Sequence, residues 1–128
     1  MGALVEQAPG GTRHTFRAAQ RLRKRPEFQR VYNRGERVRT RLMTLLALPN
    51  ERGISRLGIA ATRKLGGAVV RNRAKRRVRD IFRRSDIPPG VDIVVIPRPD
   101  LLDADFRTLE ADFRYALRRA VRRPRPGQ

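Results

Sequence analysis

Gly67–Ile81 reads GAVVRNRAKRRVRDI, and six of the nine residues from Arg71 to Arg79 are cationic. The apolar residues keep helical spacing. Val70, Ala74, Val78 and Ile81, with Phe82 at the edge, fall within about 120° of a wheel drawn at 100° per residue. The spacing predicts a helix over 69–84 with its stripe turned to a core. Arg71, Asn72, Lys75, Arg76, Arg79 and Arg83 fill the opposite side, while Arg73, Arg77 and Arg84 flank the stripe's other edge. Ordinary surface helices intersperse acids with bases at i, i+4. Here Asp80 is the only acid in the stretch, so the counter-charge must come from outside it.

Working outward, SRLGIAATR alternates Leu57, Ile59 and Ala61 against Gly58, Ala60 and Thr62. That predicts a strand with one large-residue and one small-residue face. Gly66 and Gly67 divide it from the helix. On the other side, the turn Pro88-Pro89-Gly90 leads into VDIVVIP, a continuous β-branched run that suits a buried strand. Further upstream, VRTRLMTLLALP predicts a strand over 38–48 closed by Pro49, Asn50 and Gly53. Before it, PEFQRVYNR predicts a helix over 26–34, with Pro26 in the first turn, Glu27 at the positive end of the dipole and Gly35 as a left-handed stop. Phe28, Val31 and Tyr32 share one face of it. A last helix is expected over 103–122, where Leu102, Phe106, Leu109, Phe113, Ala116, Leu117, Ala120 and Val121 recur every three or four residues. The order α-β-β-α-β-α defines an α+β fold, a small mixed sheet covered by helices, with room for one further short strand in the β segments.

The chain has 128 residues and is 39% apolar, enough for one core. Residues 1–20 lack periodicity and carry Pro9, Gly10 and Gly11, so a mobile arm is expected there, with His14 a solvated bystander. The folded domain is expected over 21–122, and RRPRPGQ makes 123–128 a flexible tail. The formal charge of +19, from 31 basic against 12 acidic side chains, costs folding energy through self-repulsion and calls for a polyanionic partner. Nucleic acid leads. No apolar run nears the roughly 20 residues of a spanning helix, and MGALVEQAPGG has no signal-peptide pattern. A membrane-surface helix would need larger apolar residues than Val, Ala, Val and Ile. The absence of cysteine excludes disulfides and thiolate metal sites and fits a cytoplasmic location. Arginine outnumbers lysine 28 to 3; bidentate phosphate binding and a GC-rich genome account for that equally.

Catalysis by the chain alone lacks its parts. Asp100, Asp103 and Asp105 sit at a helix start, where capping explains them better than a hard-cation site. One histidine and no cysteine leave neither a nucleophilic triad nor a zinc site. Asn72, an amide among cations, can donate to and accept from a sugar or base edge.

The stretch SRLGIAATRKLGGAVVRNRAKRRVRDIFRR, followed by PPGVDIVVIPRPDL, resembles the protein subunit of bacterial ribonuclease P. That family carries an Arg-Asn-Arg core and then Lys-Arg on a helix after a Lys-hydrophobic-Gly turn. RLRKRPEFQRVYNRG resembles its first helix, so the likeness spans about residues 21–122. The resemblance implies that a separate RNA, holding most of the magnesium, removes the 5′ leader of precursor tRNA, and that this chain is its RNA-binding cofactor. Arg63, Lys64, Arg71, Asn72, Arg73, Lys75, Arg76 and Arg79 would then meet the catalytic RNA. A cleft between the first helix and the sheet would hold the leader, with Phe28 and Tyr32 as stacking surface beside small Gly58, Ala60 and Thr62; a core role explains Phe28 equally well, whereas Tyr32, with a hydroxyl to place, suits the surface better. It also implies a left-handed β-α-β crossover, against the general rule of handedness. The chain departs from the family in two respects: Met43, Leu45 and Leu46 stand where an aromatic is frequent in the first strand, and Gly67 where a polar residue is usual. A ribosomal or other structural RNA-binding protein is the alternative that composition alone allows.

Overall fold

The computed structural model describes residues 18–122. Most of the expected arm, His14 and the tail lie outside the described residues. Residues Ala18–Gln20 form a 3₁₀ turn, and the next two run beside a strand, with Arg21 bridged to Leu57 and the Leu22 N–H donating to Leu57 O (2.9 Å).

Helix α1 spans Arg25–Arg34. Pro26 lies in its first turn, and the Glu27 carboxylate reaches back to accept the N–H of the N-cap Lys24, which helix geometry leaves without a partner, and that of Arg23 just before it (both 3.2 Å). Gly35 ends it, in extended rather than left-handed backbone (φ −80°, ψ 162°). Glycine is needed there for closeness: a Cβ would lie 2.7 Å from Val31 O and 3.0 Å from Ala47 O.

The expected strand over 38–48 is two strands, β1 (Glu36–Arg39) and β2 (Met43–Pro49), paired antiparallel. No glycine or proline marks the reversal. Instead the Thr40 N–H donates to Met43 O (2.8 Å), and the Thr40 hydroxyl accepts the N–H groups of Leu42 and Met43 (both 3.2 Å). Strand β3 (Arg56–Ile59) then leads to α2 (Ala68–Arg84), and β4 (Val91–Pro97) returns parallel to β3 and antiparallel to β2. The strand order β1-β2-β4-β3 is the mixed sheet the pattern called for, with a helix joining two parallel neighbours. The final helix is also split, into a single turn α3 (Asp100–Asp103) and α4 (Phe106–Arg122). Ala104 is extended between them, and the Asp105 carboxylate accepts the Thr108 N–H (2.8 Å) as an N-cap.

Register decides what each face buries. Val38, Leu45, Ile93, Val95 and Leu57 point to the side covered by α2 and α4, where they meet Ala74, Val78, Ile81 and Phe82 of α2 and Leu109, Phe113 and Leu117 of α4. Leu46 and Val94 point the other way, to Leu22 and the fully buried Val31 of α1. The even apolar run of β4 is thus explained: it is sandwiched between helices.

Candidate nucleic-acid interface

Helix α2 carries its charge outward because its stripe is anchored inward. Ala74, Val78, Ile81 and Phe82 are buried, whereas Asn72, Arg73 and Arg76 are exposed and Arg71, Lys75 and Arg79 lie half-buried along one edge. Arg63 and Lys64 are exposed in the turn before the helix, tied by the Leu65 N–H donating to Thr62 O (3.0 Å) and the Gly66 N–H to Arg63 O (3.1 Å). Gly66 has φ +151°, and a Cβ there would meet Val70 at 2.9 Å, so the turn that presents Arg63 and Lys64 requires glycine. Gly67 is the N-cap, with open space around it and no side-chain cap.

Not every cation in this helix is available to a ligand. Arg77 donates to the carbonyls of Leu101 (3.0 Å), Leu102 (3.1 Å) and Ala104 (2.6 Å), satisfying the C-terminal carbonyls of α3. Arg73 reaches Leu102 O at 3.1 Å from an exposed position. Arg83 (2.9 Å) and Arg84 (3.3 Å) pair with Asp80. Burial pushes the Asp80 carboxyl up, but those two guanidiniums outweigh it and hold the group below the usual carboxylate range. Arg79 is the opposite case. Burial, then the like charges of Arg21, Arg76 and Arg83, push its pKa down, which marks a place where a bound anion would relieve repulsion.

The second set of candidate residues lies across the sheet. Phe28 and Tyr32 are both half-buried on α1, their rings 6.4 Å apart and inclined at 62°, an edge-on pair. The space expected above Gly58 is filled: a Cβ at Gly58 would lie 2.6 Å from Phe28 Cζ and 2.9 Å from Leu22 Cβ. Phe28 is therefore seated on the sheet by the missing side chain, and any groove for a strand of RNA lies further along. There Ile96 and Ala60, half-buried, pack beside the two rings. Thr62 is exposed in the turn beyond. Tyr32 faces Arg37, while burial raises its hydroxyl pKa. Arg37 and Arg39 pair with Leu46 and Thr44, so they project to this same face of the sheet and are exposed. Sequence reasoning passed over these two; the signal was their period-two spacing around Val38.

Also unforeseen is the device that fixes α1 over the sheet. Arg56 is buried and bidentate to Asp92, with Nε to Oδ1 and Nη2 to Oδ2 both 2.8 Å, and its Nη1 reaches Glu27 Oε2 at 3.0 Å. Asn50 Nδ2 donates to Asp92 Oδ1 (2.7 Å). Hydrogen bonding to Asp92 raises the Arg56 pKa. Burial alone would raise Asp92; the bonds from Arg56 and Asn50 overcome it and keep the carboxyl ionised below its usual range. Glu27 is likewise held low, burial being outweighed by the N–H groups of Lys24 and Arg23 and by Arg56.

A one-domain sandwich with a cation-faced helix on one side of a mixed sheet and an aromatic pair rimmed by arginines on the other defines an RNA-binding protein of α+β class. The comparisons with known proteins agree. The ribonuclease P family model matches residues 16–121. Among curated relatives, the ribonuclease P protein component of Roseiflexus sp. (strain RS-1) is 43% identical over 108 residues, covering 82% of this chain and 88% of that one. The component from Thermotoga sp. (strain RQ2) is 40% identical over 111 residues, covering 82% and 95%. The solved RNase P protein from Thermotoga maritima superposes with a TM-score of 0.70 at 41% identity, covering 77% of this chain and 96% of that chain. The Staphylococcus aureus protein gives 0.70 at 34%, covering 80% and 95%. The chain belongs to the ribonuclease P protein family: it is an RNA-binding subunit of an endoribonuclease whose catalysis resides in RNA. The alternative of a structural RNA-binding protein without a processing role is thereby set aside.

Proposed function

We propose that the two faces of the sheet divide the work of that subunit. The α2 side, with Arg63, Lys64, Arg71, Asn72, Arg73, Lys75, Arg76 and Arg79, docks on the catalytic RNA; the α1 side, with Phe28 and Tyr32, holds the single-stranded 5′ leader of precursor tRNA. The observation that carries this reading is the separation itself. Those α2-side cations, none of them in an ion pair among the described residues, lie on one side, and the half-buried rings lie on the other with Arg37 and Arg39 beside them. A structured RNA is met mainly at its phosphates and sugars, by cations and by hydrogen-bonding groups such as the Asn72 amide, whereas a single strand needs ring faces on which bases stack. Arg37 and Arg39 would neutralise leader phosphates.

Magnesium belongs mainly to the RNA in this proposal. No three carboxylates or histidines gather among the described residues, and Asp80 and Asp92 are committed to arginines. The chain's own contribution is to bind and orient two RNAs and to lower their mutual repulsion. A cytoplasmic site of action accompanies this reading; no helix among the described residues is long and apolar enough to cross a membrane.

The test compares two variants in the reconstituted holoenzyme. Tyr32→Ala should weaken precursor-tRNA affinity by about ten-fold, as loss of one stacking contact of 1–3 kcal/mol predicts, while mature tRNA, which has no leader, is bound as before. Arg76→Glu should instead weaken assembly with the catalytic RNA and leave the precursor-to-mature ratio of the assembled enzyme unchanged. If Tyr32→Ala melts normally and that ratio does not move, the α1 side is not the leader site.

A further inference from the structure

The geometry points to a third RNA contact, a pocket for one unpaired nucleotide, on the outer side of α4. It lies between the β1–β2 turn and the helix as an open cavity of about 620 Å³, within the range of small-ligand sites. Its lining includes Arg41, Leu42, Arg107, Ala111, Asp112 and Tyr115. Helix α4 packs on β1 and β2, whereas α2 packs on β3 at the other end of the sheet, and Phe28 and Tyr32 are on the opposite face. The pocket is therefore separate from both surfaces described above.

Each wall suits a part of a nucleotide. Tyr115 is 48% exposed, and the Arg119 guanidinium, one turn further along α4, stands 5.7 Å from its ring centroid. A base entering there would stack on the ring. Arg107 is exposed and forms no ion pair among the described residues, and Arg41 has only a solvent-screened pair with Asp100 (3.3 Å, both side chains more than half exposed), so both are available to a phosphate. Asp112 decides what kind of anion can enter. Its Oδ2 accepts the Thr40 hydroxyl (2.5 Å), which fixes the carboxylate against the turn. A carboxylate within the lining repels a bare phosphate but accepts the imino and amino N–H groups of a base such as guanine. The occupant is thus a nucleotide with its base at Tyr115 and Asp112 and its phosphate at the rim.

This inference rests on the chain being an RNA-binding subunit, and the experiment separates the two. The isotopically labelled full chain is titrated with guanosine monophosphate and, at equal ionic strength, with inorganic phosphate, while NMR signals of Thr108, Ala111 and Tyr115 and, for the α1 side, Ala60 and Ile96 are followed. Guanosine monophosphate should move the first three saturably, whereas phosphate should move at most Thr108, next to the rim arginine Arg107, and leave Ala111 and Tyr115 in place. Tyr115→Ala, at an exposed position, should weaken that binding by about ten-fold, and Arg76→Glu should leave it intact. Silent pocket signals, an equal response to phosphate alone, or full affinity in Tyr115→Ala would each overturn the pocket. If only Ala60 and Ile96 respond, the pocket is lost and RNA binding at the α1 side stands.

Discussion

Removing the Asp92 carboxylate tests how much the buried ion pair holds the domain together. The Asp92 and Arg56 side chains are 3% and 8% exposed, and two bonds of 2.8 Å join them. Truncating one member of such a pair costs about 3–5 kcal/mol because the other charge stays buried. Arg56 keeps one partner, Glu27 at 3.0 Å, whose side chain is 28% exposed, so the lower end of about 3 kcal/mol is expected for Asp92→Ala. That is a large part of the 5–15 kcal/mol typical of a domain. In urea denaturation followed by circular dichroism, a slope of about 1–3 kcal/mol/M turns it into a midpoint lower by roughly 1–3 M. A double replacement, Arg56→Met with Asp92→Leu, should recover most of the loss, since apolar residues of similar volume remove the desolvation cost along with the attraction. The pH dependence has a definite sign. Asp92 is held below its ordinary value in the fold, so the unfolded chain binds more protons than the native one near that range. Its contribution is complete above the unfolded value near 3.9 and fades as pH falls through the lower folded value. A midpoint change in Asp92→Ala worth less than about 1 kcal/mol would refute the reasoning, because the pair would then behave as a solvated surface contact.

Other perturbations address the interface and its support. If α2 and its turn neutralise about six phosphates, log affinity for the catalytic RNA should fall against log salt with a slope of roughly −4 to −5, and Arg76→Ala should flatten it by close to one; a slope near zero would show that the contact is not electrostatic. Arg77→Ala should destabilise the fold by about 1.5–3 kcal/mol through its lost carbonyl bonds to the α3 end, and after correction for folded fraction it should leave RNA affinity near wild type, as filter binding would reveal. Gly66→Ala should lower the melting temperature by several degrees, since φ +151° and a 2.9 Å approach to Val70 leave no place for a Cβ; an unchanged melt would mean the turn relaxes freely.

Periodicity made most of the architecture legible. The stripe Ala74, Val78, Ile81 and Phe82, the alternation about Gly58 and the β-branched run of 91–97 are local patterns, and each appears as the element it suggests. The Thr40 reversal escaped because a side-chain hydroxyl closes it, with none of the Gly or Pro punctuation on which turn reading depends. The break before α4 escaped because the apolar spacing of 101–109 runs through it, and only the Asp105 cap reveals it.

The candidate site divides in the same way. Sequence by itself determined that the chain is a polycation with a one-sided basic helix and two rings on another, because charge and helical phase are properties of neighbours along the chain. Tertiary structure decided which cations are free. Arg76 and Arg77 are adjacent and chemically identical, yet one faces solvent and the other is spent on the carbonyls of residues some 25 positions away. It decided likewise that Phe28 fills the space at Gly58 and that Arg56 and Asp92 meet within the core. Those outcomes depend on which elements pack together and in what register, and such contacts join residues whose separation along the chain carries no periodic signal.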